Sequence, residues 1–134
     1  MDQDDRLIRV LVADDSPAVL QAICDFLESQ GNFKIVGMAS DGIRLLEEAA
    51  RVQPDLVITD FKMGLMNGLH AARELRKSFP DLRVVILSGL DSHAIEEECA
   101  LSGADSFVEK SALPDKLIPA ILRLFAKAPD ADSL

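Results

Sequence analysis

Three aspartates, a serine and a lysine closely follow short apolar runs of the sequence. Asp14 and Asp15 come after the first run, Asp60 after the third, Ser88 after the fourth and Lys110 after the fifth. Taken singly, Asp and Ser are common in turns and at helix starts, and a lysine is usually a solvated surface charge. In a parallel α/β sheet, however, ligands bind outside the carboxyl ends of the strands. The spacing therefore predicts that all five side chains line one shallow cleft.

Such a cleft carries more negative charge than it can hold without a cation. Two carboxylates about 4 Å apart repel each other by about 4 kcal/mol at an effective dielectric constant near 20. Three carboxylates are therefore expected to bind either protons or a hard divalent metal. Oxygen ligands with no His or Cys beside them favour Mg²⁺ or Mn²⁺ over zinc.

A lysine opposite that metal completes an anion site, which a phosphoryl group would fill. An ionised and accessible Asp60 could then act as the nucleophile without a general base. The metal, Lys110 and Ser88 would neutralise the equatorial oxygens of the transferred group. The residue types thus predict phosphoryl transfer to Asp60.

Buried parallel strands are predicted by apolar runs rich in Val and Ile, which alternate with helical patterns. The runs are Ile8–Ala13, Lys34–Ala39, Leu56–Thr59, Val84–Leu87 and Ser106–Val108. Regular alternation of strand and helix with short loops predicts an α/β fold, in which a single five-stranded parallel sheet has helices on both faces.

Five amphipathic helices are predicted from apolar residues at helical spacing. Their inward faces are expected at Val19, Ala22, Ile23, Phe26 and Leu27; at Ile43, Leu46, Ala49 and Ala50; at Leu69, Ala72, Leu75 and Phe79; at Ile95 and Cys99, starting near Ser92; and at Leu117, Ile121, Leu122 and Phe125. Ser16 and Pro17 open the first helix as N-cap and first residue, and Pro80 closes the third. Pro119 predicts either a bend in the last helix or a start later than Pro114.

Size and charge limit the possible functions. The 134 residues are expected to form one domain with a core from about residue 6 to 127 and loose ends at 1–6 and 129–134. A net charge of −9 argues against direct nucleic-acid binding. With a charged N-terminus and no apolar run near the length of a membrane span, we expect a cytoplasmic protein without membrane contact. Cys24 and Cys99 are expected to be reduced; a disulfide or metal pair is the less favoured alternative.

Several stretches of the chain resemble one known family. They are VLVADDSPAV with its acidic pair, LVITD ending in Asp60, MGLMNG from Met63 to Gly68, VILSG containing Ser88, and GADSFVEK ending in Lys110. In combination they are similar to the receiver domain of two-component response regulators over about residues 6–127. The resemblance implies the flavodoxin-like receiver fold. The phrases FKIVGMASDG and KSALPDKLIPAI further resemble receivers that precede a LuxR-type DNA-binding domain.

The resemblance implies a phosphorylation switch rather than an enzyme acting on other molecules. Asp60 would take the phosphoryl group from a sensor histidine kinase or phosphotransfer protein. Slow self-dephosphorylation is expected because neither Lys62 nor Leu90, two residues beyond Asp60 and Ser88, offers a carboxylate or amide that would position the attacking water. Asp15, Asp60 and the backbone carbonyl of Lys62 would bind Mg²⁺ directly, with Asp14 bound through water. By the same resemblance Ser88 shifts toward the phosphate and Phe107 rotates inward, changing the surface offered to an output partner. Phosphorylation could also produce a homodimer.

Two other classes of function fit the sequence less well. A pseudo-receiver would keep the fold as a protein-interaction module but lose the chemistry, and the intact acidic, hydroxyl and lysine positions count against it. A flavodoxin-like electron carrier or small hydrolase is disfavoured because the acidic ADDSP stretch after the first strand would repel a cofactor phosphate. His70 and His93 are interpreted as surface residues, Met63 and Met66 as loop packing, and Glu96 to Glu98 as a solvated helix face.

Overall fold

The apolar runs form one parallel sheet in the computed structural model, which describes residues 7–64, 66–89 and 103–132, without the side chains of 127–132. Its five strands are β1 (Ile8–Ala13), β2 (Phe33–Ala39), β3 (Leu56–Asp60), β4 (Arg83–Ser88) and β5 (Ser106–Glu109). Each predicted run is confirmed to within a residue at either end. All strand pairs are parallel, and the order across the sheet is β2-β1-β3-β4-β5.

The strand register brings the four strands that carry candidate residues to a common edge. Ala13 of β1 lies opposite Thr59 of β3, so the residues that follow them, Asp14 and Asp60, are neighbours. Asp60 in turn pairs with Leu87 of β4. The predicted neighbourhood of the first, third, fourth and fifth strands is therefore confirmed.

Four helices cover the sheet within the described residues: α1 (Pro17–Ser29), α2 (Gly42–Val52), α3 (Gly68–Ser78) and α4 (Leu113–Asp132). The predicted start of α1 is confirmed, because the Ser16 hydroxyl accepts a hydrogen bond from the backbone N–H of Val19 and Pro17 is the first helical residue. The fourth predicted helix, with Ser92, Ile95, Cys99, His93 and Glu96 to Glu98, lies outside the described residues, as do residues 1–6. No helix in the described ranges has the length and apolar character that crossing a membrane requires.

Alternate residues of the strands face two separate cores. On one face, β1 packs Val10 and Val12 against α1 and α4. On the other, Leu11 and Ala13 pack against α2 and α3. All five residues of β3 are buried, which fits a central strand covered on both sides. Cys24 lies in the first core as the sequence predicts, and burial, with Glu28 and Asp25 nearby, raises the pKa of its thiol to about 11.

Several positions predicted to face the core are exposed instead: Ala22, Ile43, Ala50 and Leu122. In α2 the fully buried leucine is Leu45, which the sequence pattern did not single out. An apolar stripe fixes a helix face only within about one residue, and packing against the sheet decides its final rotation. The predicted inward faces were therefore too wide.

Helix α4 begins at Leu113, so one of the two alternatives expected from Pro119, a helix start later than Pro114, is wrong. Pro114 falls in the first turn, where a backbone N–H has no partner within the helix anyway. The helix continues past Pro119, whose missing N–H leaves the preceding turn one hydrogen bond short. The C-terminal segment predicted to be loose from residue 129 is helical as far as Asp132.

Two leucines on α4 provide a matched test of this packing. Leu117 is fully buried between the helix and the sheet, whereas Leu122 is 47% exposed. We expect Leu117→Ala to lower the free energy of unfolding by about 2–5 kcal/mol. Leu122→Ala is expected to change it by no more than about 0.5 kcal/mol. Urea denaturation followed by circular dichroism checks both; similar losses in the two variants would contradict the described orientation of α4.

Candidate functional site

Three aspartates meet at the carboxyl edge of the sheet. Asp14 directly follows β1 and is 1% exposed; Asp60 ends β3 and is 5% exposed. Asp15 points outward beside them. One carboxylate oxygen of each lies within 4.8 Å of those of the other two. The structure therefore brings together the acidic cluster that the sequence predicts.

Lys110 supplies a positive charge directly against this cluster. It follows β5 and opens a short 3-10 turn, Lys110–Ala112. Its ammonium nitrogen lies 2.9 Å from Asp14 Oδ2 and 3.3 Å from Asp60 Oδ1. The lysine thus spans the two most buried carboxylates, as expected for the cation of an anion site.

A cleft of about 390 Å³ opens beside these groups. The described residues that line it are Asp15, Asp60, Phe61, Lys62, Ser88, Gly89 and Lys110. Asp14 lies behind this lining, and Phe107 is half-buried on β5, in contact with the core under α2 and α3. The cleft therefore brings Asp60, Ser88 and Lys110 to one space, while Phe107 stays outside it.

The charges of the site shift one another's protonation. Burial, and then the negative charge of Asp14, raise the pKa of Asp60 above its ordinary value; Lys110 and a hydrogen bond from the backbone N–H of Lys62 act in the opposite direction. Burial acts to lower the pKa of Lys110, but its contacts with Asp14 and Asp60 outweigh it and raise that pKa. Lys110 is accordingly charged at neutral pH.

The arrangement fits a hard divalent cation. Asp14 Oδ1 accepts a hydrogen bond from the backbone N–H of Ser16, but Oδ2 has no hydrogen bond of good geometry within the described part of the chain. Its nearest partner there is the Lys110 ammonium. Asp14 Oδ2 is thus a buried oxygen atom that lacks a well-formed hydrogen bond among the described residues, which is unusual in a folded protein. Together with the carboxylates of Asp15 and Asp60 it offers a metal ion oxygen ligands only. Such sets suit Mg²⁺ better than softer metals.

The loop after Asp60 is held by a glycine whose role the sequence pattern did not reveal. Gly68 opens α3, and its backbone N–H donates to the Phe61 carbonyl over 2.8 Å. A Cβ atom at this position would collide with the Asp60 carbonyl oxygen. Met63 is buried and Met66 half-buried beneath the same loop, which confirms their interpretation as packing residues. His70, in the first turn of α3, is exposed as expected.

Neutralising Asp60 tests the electrostatic conflict in this cluster. In EDTA we expect Asp60→Asn to raise the free energy of unfolding by on the order of 1 kcal/mol, because repulsion between such carboxylates is a few kcal/mol and Lys110 offsets only part of it. Because the pKa of Asp60 is raised on folding, its ionised form disfavours the folded state. The difference should therefore be largest at neutral pH and shrink as the pH falls through the raised pKa. Exposed Asp81→Asn is the control; equal effects of the two substitutions in thermal unfolding would contradict the analysis.

Comparison with known proteins places the site in a family. The family model described as response regulator receiver domain matches residues 10–122. Among curated proteins, the chain is 32% identical over 120 residues to the response regulator GacA of Pseudomonas aeruginosa, covering 90% of this chain and 56% of that protein. It is 38% identical over 108 residues to a protein-glutamate methylesterase/protein-glutamine glutaminase of Thermotoga maritima, covering 79% of this chain and 31% of that protein.

Solved structures give the same result. The signal receiver domain of the response regulator NarL from Mycobacterium tuberculosis superimposes with a TM-score of 0.85 at 29% identity, covering 91% of this chain and 98% of that chain. The fold is therefore the flavodoxin-like receiver fold. The chain spans about a third to about a half of the length of the curated relatives named above. With its acidic cluster, lysine and serine at the carboxyl edge of a five-stranded parallel sheet, the chain belongs to the receiver domains of two-component response regulators.

Proposed function

We propose that this receiver domain accepts a phosphoryl group on Asp60 in a reaction that depends on Mg²⁺, or Mn²⁺ in its place. The observation that carries the proposal is the acidic cluster itself. Carboxylate oxygens of Asp14, Asp15 and Asp60 lie within 4.8 Å of one another, and Lys110 contacts two of these residues. In the proposed site Asp15, Asp60 and the backbone carbonyl of Lys62 would hold the cation directly, and Asp14 would hold it through a water molecule.

Asp60 is the best placed nucleophile of the three aspartates. Asp14 lies behind the cleft lining and cannot be approached from solvent. Asp15 lines the cleft but is exposed and follows the strand, whereas Asp60 is the last residue of a fully buried strand and is held rigidly. Rigid placement matters because a nucleophile held at the reacting distance avoids much of the entropic cost of the reaction.

The proposed donor is a phosphohistidine of a sensor histidine kinase or phosphotransfer protein. An Asp60 carboxylate oxygen forms a bond to phosphorus while the bond from phosphorus to the donor nitrogen breaks, and the electron pair of that bond stays on the imidazole. Mg²⁺ would supply positive charge to the phosphoryl oxygens. Lys110 donates to another of these oxygens, and the Ser88 hydroxyl reaches the group from β4.

The switch would run from Ser88 to Phe107. These residues lie on adjacent paired strands, with Ile86 opposite Phe107 and Ser88 opposite Glu109. A shift of Ser88 toward the phosphate would make room for Phe107 to turn inward and would alter the neighbouring surface. We propose that this surface meets an output partner, either a separate protein or a LuxR-type domain, or a second copy of the chain in a homodimer.

The extent of the receiver unit, its location and its chemistry are also part of the proposal. The receiver family model matches residues 10–122, and we propose that residues 1–134 act as one receiver unit in the cytoplasm, with self-catalysed phosphorylation and slow self-dephosphorylation as its only chemistry. Direct nucleic-acid binding by this unit is disfavoured by the net charge of −9. A pseudo-receiver that only binds partners remains the second candidate, and it predicts no covalent modification at Asp60.

The acceptor assignment is tested with phosphoramidate as a small-molecule phosphodonor. We expect wild type and the control variant Asp81→Asn to be phosphorylated in Mg²⁺ and to stay unmodified in EDTA, because Asp81 is exposed and distant from the cleft lining. Asp60→Asn should lose more than about 90% of the modification, since the nucleophilic carboxylate is gone. Intact-mass spectrometry gives the measurement. Equal labelling of Asp60→Asn and wild type would remove Asp60 as acceptor, and an unlabelled wild type would favour the pseudo-receiver.

Substitution of Lys110 is expected to impair the conformational switch without weakening metal binding. Lys110→Ala removes a cation from beside the carboxylates, so Mg²⁺ affinity should be retained or increased, while the amide shifts that phosphorylation produces at Phe107 should be largely lost. Exposed Lys116→Ala on α4 is the control. Calorimetric titration and NMR spectra of the phosphorylated proteins check both. Phosphorylation shifts at Phe107 as large as those of wild type would contradict this role.

A further inference from the structure

Strand β5 is the shortest strand of the sheet, and two of the proposed functional residues lie in it or directly after it. It contains four residues and lies at an edge, and in the described part of the chain its one strand partner is β4. Phe107 lies within it and Lys110 follows it directly. A slip of one residue in this pairing would turn each side chain to the opposite face and move the lysine away from the carboxylates. The amino end of β5 therefore needs an anchor beyond its own ladder.

Arg76, near the end of α3, provides that anchor. Its Nε donates to the Gly103 carbonyl over 3.1 Å, and one terminal nitrogen donates to the Gly103 carbonyl over 2.8 Å and to Asp105 Oδ2 over 2.6 Å. The other terminal nitrogen donates to the carbonyls of Pro80 and Leu82 over 2.7 and 2.6 Å. A guanidinium has five N–H donors, so all of them are used. A single side chain thus joins α3, the start of β4 and the start of β5.

Asp105 extends the pairing of β4 with β5 by one further residue at the amino end of β5. Its Oδ2 also accepts from the backbone N–H of Val84 over 2.8 Å, and its own N–H donates to the Val84 carbonyl over 2.8 Å. These bonds come directly before the first register pair, Val85 with Ser106. Gly103 has a φ of +100°, and a Cβ there would approach Arg76 Cβ and Cγ to 3.3 and 3.4 Å. Glycine is therefore the residue that lets the arginine stem pass.

The amino end of α3 contacts Asp60, the proposed phosphoryl acceptor. Helix α3 starts at Gly68, which lies against the Asp60 carbonyl and donates to Phe61. One short helix thus connects the nucleophile-bearing strand with the anchored start of β5. We propose that Arg76 is a positioning residue for phosphorylation: with Asp105 it locks the register of β5 and so holds Lys110 and Phe107 in place relative to Asp60.

Arginine is required in this role because of its geometry. Its planar fork reaches three backbone carbonyls and one carboxylate at once, whereas a lysine offers a single nitrogen that cannot span them. Arg51 offers a matched comparison, because it also makes a two-point contact with a carboxylate, that of Glu48, but on the exposed surface of α2 and away from β5. Loss of charge alone can therefore be separated from loss of the anchor.

The experiment measures two quantities for Arg76→Gln, Arg76→Lys, Asp105→Asn and the control Arg51→Gln: the dissociation constant for Mg²⁺ and the rate of phosphorylation by phosphoramidate in saturating Mg²⁺. The proposed metal ligands lie directly after β1, at the end of β3 and in the loop after β3, so Mg²⁺ affinity should stay within about twofold of wild type in all four variants. The rate should fall by about tenfold in Arg76→Gln and Arg76→Lys, because small displacements of a charge-stabilising group have large effects on rate. Arg51→Gln should keep the wild-type rate.

Hydrogen exchange supplies the structural readout. In the Arg76 variants the amides of Ser106–Glu109 should exchange faster, while those of β1 and β3 stay protected. An unchanged rate in both Arg76→Gln and Asp105→Asn, full activity of Arg76→Lys, or a loss of Mg²⁺ affinity equal to the loss of rate would overturn the proposal. The inference rests on the proposed function, yet the two fail differently: a wild type not phosphorylated on Asp60 refutes the function, whereas a phosphorylated wild type with fully active variants refutes only the anchor.

Discussion

Asp14 and Asp60 are held nearly free of solvent at neighbouring strand ends, with Asp15 beside them and Lys110 as the positive charge against the pair. Three carboxylates and one ammonium leave a formal charge of −2, which a single divalent cation would neutralise. Removing the Lys110 ammonium would leave buried negative charge without compensation, which is far more costly than unpaired charge on an exposed surface. An anion that bound beside Lys110 would compete with Asp14 and Asp60 for the ammonium, and it would therefore change how the lysine divides its contacts.

The packed sheet offsets the electrostatic repulsion between the aspartates. Strand β3 is buried along its whole length and β1 has a neighbouring strand on either side, so the two buried aspartates lie at the ends of inner strands of the sheet. Their spacing follows from the register of Ala13 against Thr59 rather than from side-chain flexibility. Apolar packing of Leu11, Val12 and Ile58 thus supplies the stability that the charges at the strand ends reduce.

Much of this was visible in the sequence because it depends on local pattern and topology. Continuous apolar runs locate parallel strands, and the residues that end them must meet at one edge, so the order of the chain is enough to group Asp14, Asp60, Ser88 and Lys110. The N-cap at Ser16 is equally local. The contacts that were missed join residues far apart in the chain. Arg76 reads as an ordinary charge near a helix end, and its partners Gly103 and Asp105 lie 27 and 29 residues further on.

The rotation of a helix about its own axis is likewise not determined by the local sequence pattern. The pattern of α2 is compatible with Ile43 or Leu45 as the inward residue, and only the position of the helix against the sheet selects Leu45. Likewise Pro119 was expected to disturb the last helix, but buried Leu117 and Ile121 on either side of it hold α4 to the sheet. Tertiary packing overrides local conformational preference at such positions, and the local sequence pattern does not contain the packing geometry.

The division of roles among the strands follows from these constraints. The carboxylates, which repel one another, lie at the carboxyl ends of the inner strands β1 and β3, where neighbouring strands on both sides oppose any movement that would separate them. The lysine lies beyond β5, an edge strand with one neighbour, where the backbone can yield more readily. A residue that must respond to a bound anion is best carried by a strand of this kind, provided that the strand cannot lose its register. The proposed anchor of Arg76 and Asp105 lies at the amino end of β5, so it would fix the pairing and the resting position of Lys110 while an anion bound at the carboxyl end could still displace the ammonium.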